Sequence, residues 1–303
     1  MKVVALAGGV GAGKFLRGLV RVIPATDVTV VVNTADDITV HGLLVCPDID
    51  SVSYWLAGIA GRERGWGRAT ETFRAHGELE RLGGQAWFSL GDLDLGTHLA
   101  RADLLAEGAT LAEATASIAA RLGIESRLLP MSNDRVTTRI EAVDETGRQL
   151  DLHFQEYWVA RGARDQVKSI RYGGADKARV APGVLDAIAA ADAVVICPSN
   201  PVASIGPILA IPGIRQAVGE KDGVVGVSPI VGGAPLAGMA DRLMPVVGWE
   251  VTAFGAASAY ADVADAFVID ERDAALADRL RSDLRMAVGV TDTIMSDTLD
   301  LLA

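Results

Sequence analysis

Four carboxylates, Asp36, Asp37, Asp48 and Asp50, fall within fifteen residues of the block NTADDITVHGLLVCPDID, with almost no basic residue to neutralise them. Hard oxygen donors at this density suit Mg²⁺, which takes one or two carboxylates together with waters and substrate phosphate oxygens. Asp37 and Asp50 are the candidates for metal or substrate work. Aspartates also cap helices and stabilise turns, and Asp48 after Pro47 has the form of an N-cap. The second chemical feature is GGVGAGK, in which Gly8, Gly9, Gly11, Gly13 and Lys14 follow an apolar run and open a helical pattern. Bare backbone amides at the positive end of a helix hold phosphate groups. The spacing meets the glycine and lysine part of a Walker A loop, but Phe15 stands where Ser or Thr would bind magnesium. The dinucleotide fingerprint fails too, because its third glycine would fall at Lys14. The same glycines also suit a tight strand-to-helix turn with no ligand.

Three further blocks carry polar residues after apolar runs. WFSLGDLDLGTHLAR places Asp92, His98 and Arg101 about a glycine turn, a set that binds phosphate or carboxylate or simply caps and packs a helix. It holds no second His or Cys at zinc-ligand spacing. ICPSNPVASIGPIL offers Ser199, Asn200 and Ser204, small donors that let a nucleotide approach closely, or loop punctuation. SPIVGGAPLAG repeats the theme. No GxSxG elbow or paired thiol supports acyl or thiol catalysis. A phosphate cradle beside a carboxylate metal site suits phosphoryl transfer.

The elements that must position these residues have the rhythm of a βαβ unit. Lys2 to Ala7 is an unbroken apolar run, Phe15 to Ile23 has helical spacing, and Val28 to Val32 is β-branched. Parallel strands buried on both faces lack polar alternation, as here. The glycine turn and the aspartate block both follow strands, so both should face the crevice at the carboxyl ends of the sheet. A mostly helical insertion is expected over about 51–127 and a β-hairpin over about 135–158. A helix from Pro182 to Ala191, strands at 193–197, 223–227 and 266–269, and a C-terminal helix near 292–302 complete the expected elements. The reading is one Rossmann-like α/β domain over 1–303, with a mostly parallel sheet.

Composition bounds the partners. Of 303 residues, 39 are acidic and 28 basic, giving a net charge of −11 that disfavours general nucleic-acid binding. The two cysteines, Cys46 and Cys197, have no CxxC spacing and fit a reducing cytoplasm rather than a disulfide framework. The uncharged stretches at 193–214 and 223–240 contain prolines that would break a membrane helix. No signal-peptide pattern opens the chain, and a cytoplasmic location is expected.

Taken together, GGVGAGK, NTADDITVHGLLVCPDID, WFSLGDLDLGTHLAR, LLPMSNDRVTTRI, FQEYWV, PSNPVASIGPILAIPGIR, VSPIVGGAPLAGMADRLM and FVIDERD resemble one family over almost the full length. It is the 2-phospho-L-lactate transferase family of deazaflavin coenzyme F420 biosynthesis, which in actinobacteria acts as a phosphoenolpyruvate transferase. The resemblance implies a Rossmann-like core, a homodimer, and magnesium-dependent transfer of a phospho-three-carbon acid from a guanosine diphosphate-linked donor to the deazaflavin Fo, releasing GMP. It further implies that Asp50 lies at the Fo and metal centre with Asp37 as a second magnesium neighbour. The glycine loop and PSNP would contact donor phosphates or guanosine. Many members resemble LGDRD where this chain has Leu93, so a basic role there is lost or moved to Arg101. A second reading is a non-catalytic nucleotide-sugar-binding regulator of the gluconeogenesis-factor type, and a third is a generic metal-dependent nucleotidyl or phosphoryl transferase.

Overall fold

The computed structural model describes residues 1–62 and 64–295. Seven parallel strands form the central sheet: β1 (Val3–Ala7), β2 (Val28–Val32), β5 (Arg127–Pro130), β9 (Ala193–Ile196), β10 (Val224–Val227), β13 (Ala266–Asp270) and β14 (Ala287–Thr291), in the order β14-β13-β10-β9-β1-β2-β5. From β1 the chain winds outward through β2 to β5, then returns to the other side of β1 and continues from β9 to β14. This is the doubly wound arrangement, and its switch point lies between β1 and β9. In register, Leu6 stands opposite both Val31 and Ile196, so Gly8, Asn33 and Cys197 emerge together at the carboxyl rim.

Strand period sets the two cores. Ala5, Ala7, Val30 and Val32 face one side, against Ala12 and Leu16 of α1 (Gly9–Val22) and Ile49 and Val52 of α2 (Pro47–Leu56). Val4, Leu6 and Val31 face the other side. There they share a core with Ile140 of a three-stranded antiparallel sheet, β6 (Thr137–Val143), β7 (Gln149–His153) and β8 (Gln166–Gly173), ordered β7-β6-β8, and with Phe154 just after β7. Between the two faces, the loop leaving β2 carries a short hairpin of β3 (Ile38–Val40) and β4 (Leu43–Val45) before α2. A second short hairpin pairs β11 (Ile230–Val231) with β12 (Ala234–Pro235).

Several boundaries differ from expectation. α1 starts at Gly9, so the glycine segment is mostly the first turn of a helix rather than a loop. The excursion expected as a hairpin over 135–158 gains β8 as a third strand, and its second strand stops at His153, where a helical turn, Glu156–Ala160, takes over. Leu150, Leu152 and Phe154 carry the strand-like alternation, whereas Phe154 and Tyr157 enter the core three positions apart, at helical spacing. Pro182 precedes α6 (Val184–Ala190) instead of sitting in its first turn, because Gly183 occupies the N-cap in a left-handed conformation. The edge strand β5 is only four residues long, though three of them are buried, and β14 has no buried position, so neither shows a pattern. In the expected helical insertion, helices α3 (Arg74–Arg81), α4 (Asp92–Ala106) and α5 (Leu111–Arg121) follow α2. Of the expected C-terminal helix, residues 292–295 are non-helical and 296–302 lie outside the described residues.

Candidate active site

The switch point is closed by backbone contacts that only small residues allow. Ser199 Oγ accepts from the Gly8 amide at 3.2 Å and donates to the Gly8 carbonyl at 2.9 Å, joining the ends of β1 and β9. A Cβ on Gly11 would lie 2.5 Å from the Pro198 carbonyl oxygen, and one on Gly13 would lie 2.6 Å from the Trp55 ring. Gly8 is pressed against Asp48 and Ser204, and Gly9 has φ +70°. These glycines therefore permit close approach of α1 to α2 and to the segment after β9. Lys14 lies 5.4 Å from the centroid of the Trp55 ring, a cation–π contact. Asn200 Oδ1 accepts from the amides of Val202 and Ala203 at 2.9 and 3.1 Å, capping the helical turn Pro201–Ile205.

The aspartate block is built around Asn33, which is fully buried. Its Nδ2 donates to Asp48 at 2.9 Å, to Asp36 at 3.2 Å and to the Ala203 carbonyl at 3.3 Å, and its Oδ1 accepts from the Ala35 amide at 2.9 Å. Gln155, just beyond β7, donates to the other oxygen of Asp36 at 3.0 Å. Burial pushes the Asp48 carboxyl up to about 7, against hydrogen bonds from Asn33, the Gly9 amide and Ser204 that favour its charge. Burial likewise holds Asp36 well above the usual carboxylate range, helped by the charges of Asp48 and Asp37. Thus the carboxylate that touches the glycine turn is Asp48, not Asp37 or Asp50. It occupies the N-terminal amide of α1 directly. Its backbone lies in the first turn of α2, whose N-cap position is Cys46.

Asp37 sits between this pair and Asp50. Burial raises its carboxyl well above the ordinary value, and the Cys46 thiol and the Arg101 charge only partly oppose this. His153 Nε2 bonds the Asp37 carbonyl at 3.1 Å while its Nδ1 accepts from the Gln155 amide at 3.0 Å, so the ring is neutral with its proton on Nε2. Burial also moves the His153 pKa below its ordinary value. One oxygen of Asp37, Oδ1, and the Thr34 hydroxyl are buried without a hydrogen-bond partner. Both residues line a cleft of about 270 Å³ whose other walls include Leu44, Leu111, Asn133 and Arg135. The cleft opens beyond the carboxyl ends of β2 and β5. Unpaired buried oxygens cost about 1–3 kcal/mol each, so such a pair marks a place for a ligand or ion.

Asp50 is engaged elsewhere. Arg101, 1% exposed, reaches both of its oxygens from α4, and Nη1 also donates to the Leu44 carbonyl at 3.2 Å. Burial alone would depress the Arg101 pKa, but the Asp50 charge and hydrogen bonds outweigh it and hold the guanidinium above its usual range. His98 Nδ1 lies 3.2 Å from Arg101 Nη1, and its Nε2 lies 3.5 Å from Asp94 Oδ1, to which Tyr54 donates at 2.5 Å. Two faces meet here, Asp50 and Tyr54 on α2 and Asp94, His98 and Arg101 on α4, with the spacings three and four that a helix face requires. Asp92 points away from this cluster. Its carboxylate accepts from Thr72 Oγ1 and from the amides of Arg74 and Ala75 at the start of α3. Glu71 in turn caps α4 through the amides of Leu93 and Asp94. The basic group beside Leu93 is Arg68, which donates to its carbonyl at 3.2 Å, whereas Arg101 serves Asp50.

The geometry brings Gly8, Gly9, Ser199 and Asp48 together at the switch point, and Asp37, Asp50, His98 and Arg101 together beside it. It leaves Asp92 in a capping role. Residues not singled out by sequence are Asn33, Thr34, Tyr54, Glu71, Asp94, His153 and Gln155. Asn33 and Asp94 lay inside blocks already marked by their acids, and Gln155 lies in FQEYWV. Tyr54 and Glu71 carried no local signal, since their partners lie 40 and at least 22 positions away. Among the described residues, no three His, Cys, Asp or Glu side chains are disposed to hold a metal. The donor set still fits a hard divalent ion at Asp37, which lines the cleft and keeps one oxygen without a hydrogen-bond partner, and Asp50 can join only by releasing Arg101.

A doubly wound α/β sheet with acids and backbone amides gathered at its carboxyl rim defines a Rossmann-like protein with a polar ligand site. The fold matches a UPF0052-family protein of Bacillus halodurans with TM-score 0.64 at 18% identity, covering 96% of this chain and 92% of that one. Residues 3–296 match the family described as 2-phospho-L-lactate transferase CofD. The chain is 49% identical over 277 residues to the phosphoenolpyruvate transferase of Kitasatospora aureofaciens, spanning 90% of this chain and 86% of the relative. It is 40% identical over 269 residues to the 2-phospho-L-lactate transferase of Methanosarcina barkeri, spanning 89% and 85%. The chain belongs to the 2-phospho-L-lactate transferase CofD family, a family of transferases. Among the described residues, no helix is long and apolar enough to cross a membrane.

Proposed function

We propose that this protein transfers a phospho-three-carbon acid from a guanosine diphosphate-linked donor to the terminal ribityl hydroxyl of the deazaflavin Fo, in coenzyme F420 biosynthesis. The hydroxyl oxygen forms a bond to the phosphorus bearing the acid, the bridging P–O bond breaks, and GMP leaves. The names of relatives at 46–49% identity support enolpyruvate as the acid. The observation that carries the reading is the pair of residues with unpartnered buried oxygens, Thr34 and Asp37, both of which line a cleft beside the amide-rich rim.

The residues divide the work. The α1 amides of Val10 and Gly11, beyond the Gly8 and Gly9 amides that Ser199 and Asp48 already take, hold donor phosphate. Ser199 and Asn200 act through the backbone they fix, and Lys14 closes that end of the site. Asp37, with Asp50, would hold Mg²⁺, which supplies charge neutralisation on the phosphoryl and leaving oxygens when bound. Asp50 reaches the ion and orients the acceptor hydroxyl only once Arg101, which occupies both of its oxygens, has released it. The enzyme works as a cytoplasmic homodimer. Light scattering at micromolar concentration tests the dimer, and a monomer would remove it.

Incubation with Fo, Mg²⁺ and a guanosine diphosphate-linked enolpyruvate, followed by mass spectrometry, tests the reaction. GMP and an Fo-containing phosphodiester are expected. Binding of the donor without turnover would favour a regulatory nucleotide-binding role. Turnover with an unrelated alcohol but not with Fo would indicate a different transferase.

A further inference from the structure

Among the residues that line the cleft with Thr34 and Asp37, Arg135 carries the one positive charge. Other cations near the site are engaged. Arg101 reaches both oxygens of Asp50, Lys14 lies over the Trp55 ring, and Arg68 donates to the Leu93 carbonyl. Arg135 makes no ion pair among the described residues, and its one side-chain hydrogen bond is a 3.5 Å contact from Nη1 to Thr39 Oγ1. Its neighbour Asp134 also lines the cleft but is taken by Arg179. The Arg179 side chain donates to both Asp134 oxygens at 3.3 Å, and the Arg179 amide donates to one of them at 2.8 Å. The backbone of Arg135 is anchored by Val136, which is buried in the core, while its own side chain is exposed. The guanidinium charge is felt by His153, whose ring bonds the Asp37 carbonyl. Asn133 Oδ1 accepts from the Ala112 amide at 2.9 Å, which leaves its Nδ2 hydrogens as further donors. Leu44, Leu105 and Leu111 supply an apolar wall.

A guanidinium with free donors matches a carboxylate in planar, two-pronged fashion. In a chain of net charge −11, with a buried carboxyl in the same cleft, one left without an anionic partner is disposed toward an anion from outside. The proposed donor supplies that anion. Its three-carbon acid keeps a free carboxylate on the carbon that bears the phosphate ester oxygen, together with a small apolar remainder. We propose that Arg135 binds the carboxylate of the transferred acid and is the residue that recognises it, with Asn133 as an auxiliary donor and the phosphorus lying toward Asp37. The inference rests on the transferase reading for the identity of the donor and adds to it the residue that reads the acid. The carboxylate neither makes nor breaks a bond in the transfer, so this contact is equal in the ground and transition states and acts on donor binding, not on the chemical step.

Calorimetric titration of the full-length protein in Mg²⁺ with two probes tests this: guanosine diphosphate-linked enolpyruvate, and GDP, which lacks the acid. Arg135→Gln should weaken the linked acid about 10- to 100-fold and GDP less than about threefold. Arg135→Lys keeps the charge without the fork and should fall between Arg135→Gln and the unmutated protein. In steady-state kinetics KM for the donor should rise by the same factor while kcat stays within about threefold. Equal weakening of both probes would put the guanidinium on the diphosphate and overturn the inference, as would unchanged binding of both. Binding of the linked acid that depends on Arg135, without transfer to Fo, would sink the transferase reading alone. Transfer to Fo with an unchanged donor KM in Arg135→Gln would sink this inference alone. If the unmutated protein binds neither probe, both fall.

Discussion

Removing Arg101 offers a direct measure of how the site is held. Its guanidinium and the Asp50 carboxylate are both buried, at 1% and 5% exposure, and both Asp50 oxygens are paired with it. Arg101→Met keeps much of the side-chain volume and leaves Asp50 as a buried carboxylate without its guanidinium partner, beside the buried Asp37 carboxyl. Breaking such a pair from one side costs about 3–5 kcal/mol. At roughly 2–4 °C per kcal/mol for a chain somewhat shorter than this one, the thermal midpoint should fall by about 10 °C. Asp50→Leu alone should cost a similar amount, because it strands the arginine. The double variant should lie within about 1 kcal/mol of the unmutated protein, since apolar replacement of a buried pair is often neutral or better. Urea unfolding followed by far-UV circular dichroism gives the four free energies and the coupling between the two sites. A loss below about 1 kcal/mol for Arg101→Met, or additive effects in the double variant, would show that the pair behaves like an exposed one and would refute the argument.

Other outcomes follow from the same contacts. Gly11→Ala places a methyl group 2.5 Å from the Pro198 carbonyl oxygen, and overpacking of this kind should destabilise the protein by about 1–3 kcal/mol in the same unfolding assay. His153 has a folded pKa depressed mainly by burial, so its contribution to stability is present above the unfolded value near 6.5 and is lost as pH falls through the folded value. His153→Gln should therefore unfold with a shallower pH dependence just below about pH 6.5 than the unmutated protein, and identical slopes would exclude this residue as a source. Asp37→Asn should weaken magnesium binding by about tenfold or more in calorimetric titration. Thr34→Ala should leave the fold intact, since no bond to its hydroxyl is lost, and equal thermal midpoints would confirm it.

The fold was legible where burial and strand period coincide. Val3–Ala7 and Val28–Val32 lack alternation because both faces are covered, and that is visible in five consecutive residues. Arg127–Pro130 was not legible as a strand because it is short, ends in proline and lies next to a helical run. The β8 strand was missed because its residues are mostly half exposed and take their place only by pairing with β6. For the site, residue type marked the aspartates but could not rank them. Asp48 meets the glycine turn because the β3–β4 hairpin brings the start of α2 back onto α1, and a contact made by that return is not written at any one position. The capping of α3 by Asp92 and of α4 by Glu71 had the same origin: two helix starts placed side by side, each supplying an acid to the other.

The Ser199 hydroxyl has a consequence for how the protein comes into being. Its two bonds to Gly8 join segments 191 positions apart, so the amino-terminal glycine turn cannot take its final shape on a ribosome until two thirds of the polypeptide has emerged. A chain stopped after β5 would display the glycines and the aspartates and still lack the clasp that sets their spacing. The final geometry of the glycine turn therefore arrives late in synthesis, as a property of the completed wind rather than of its first crossover.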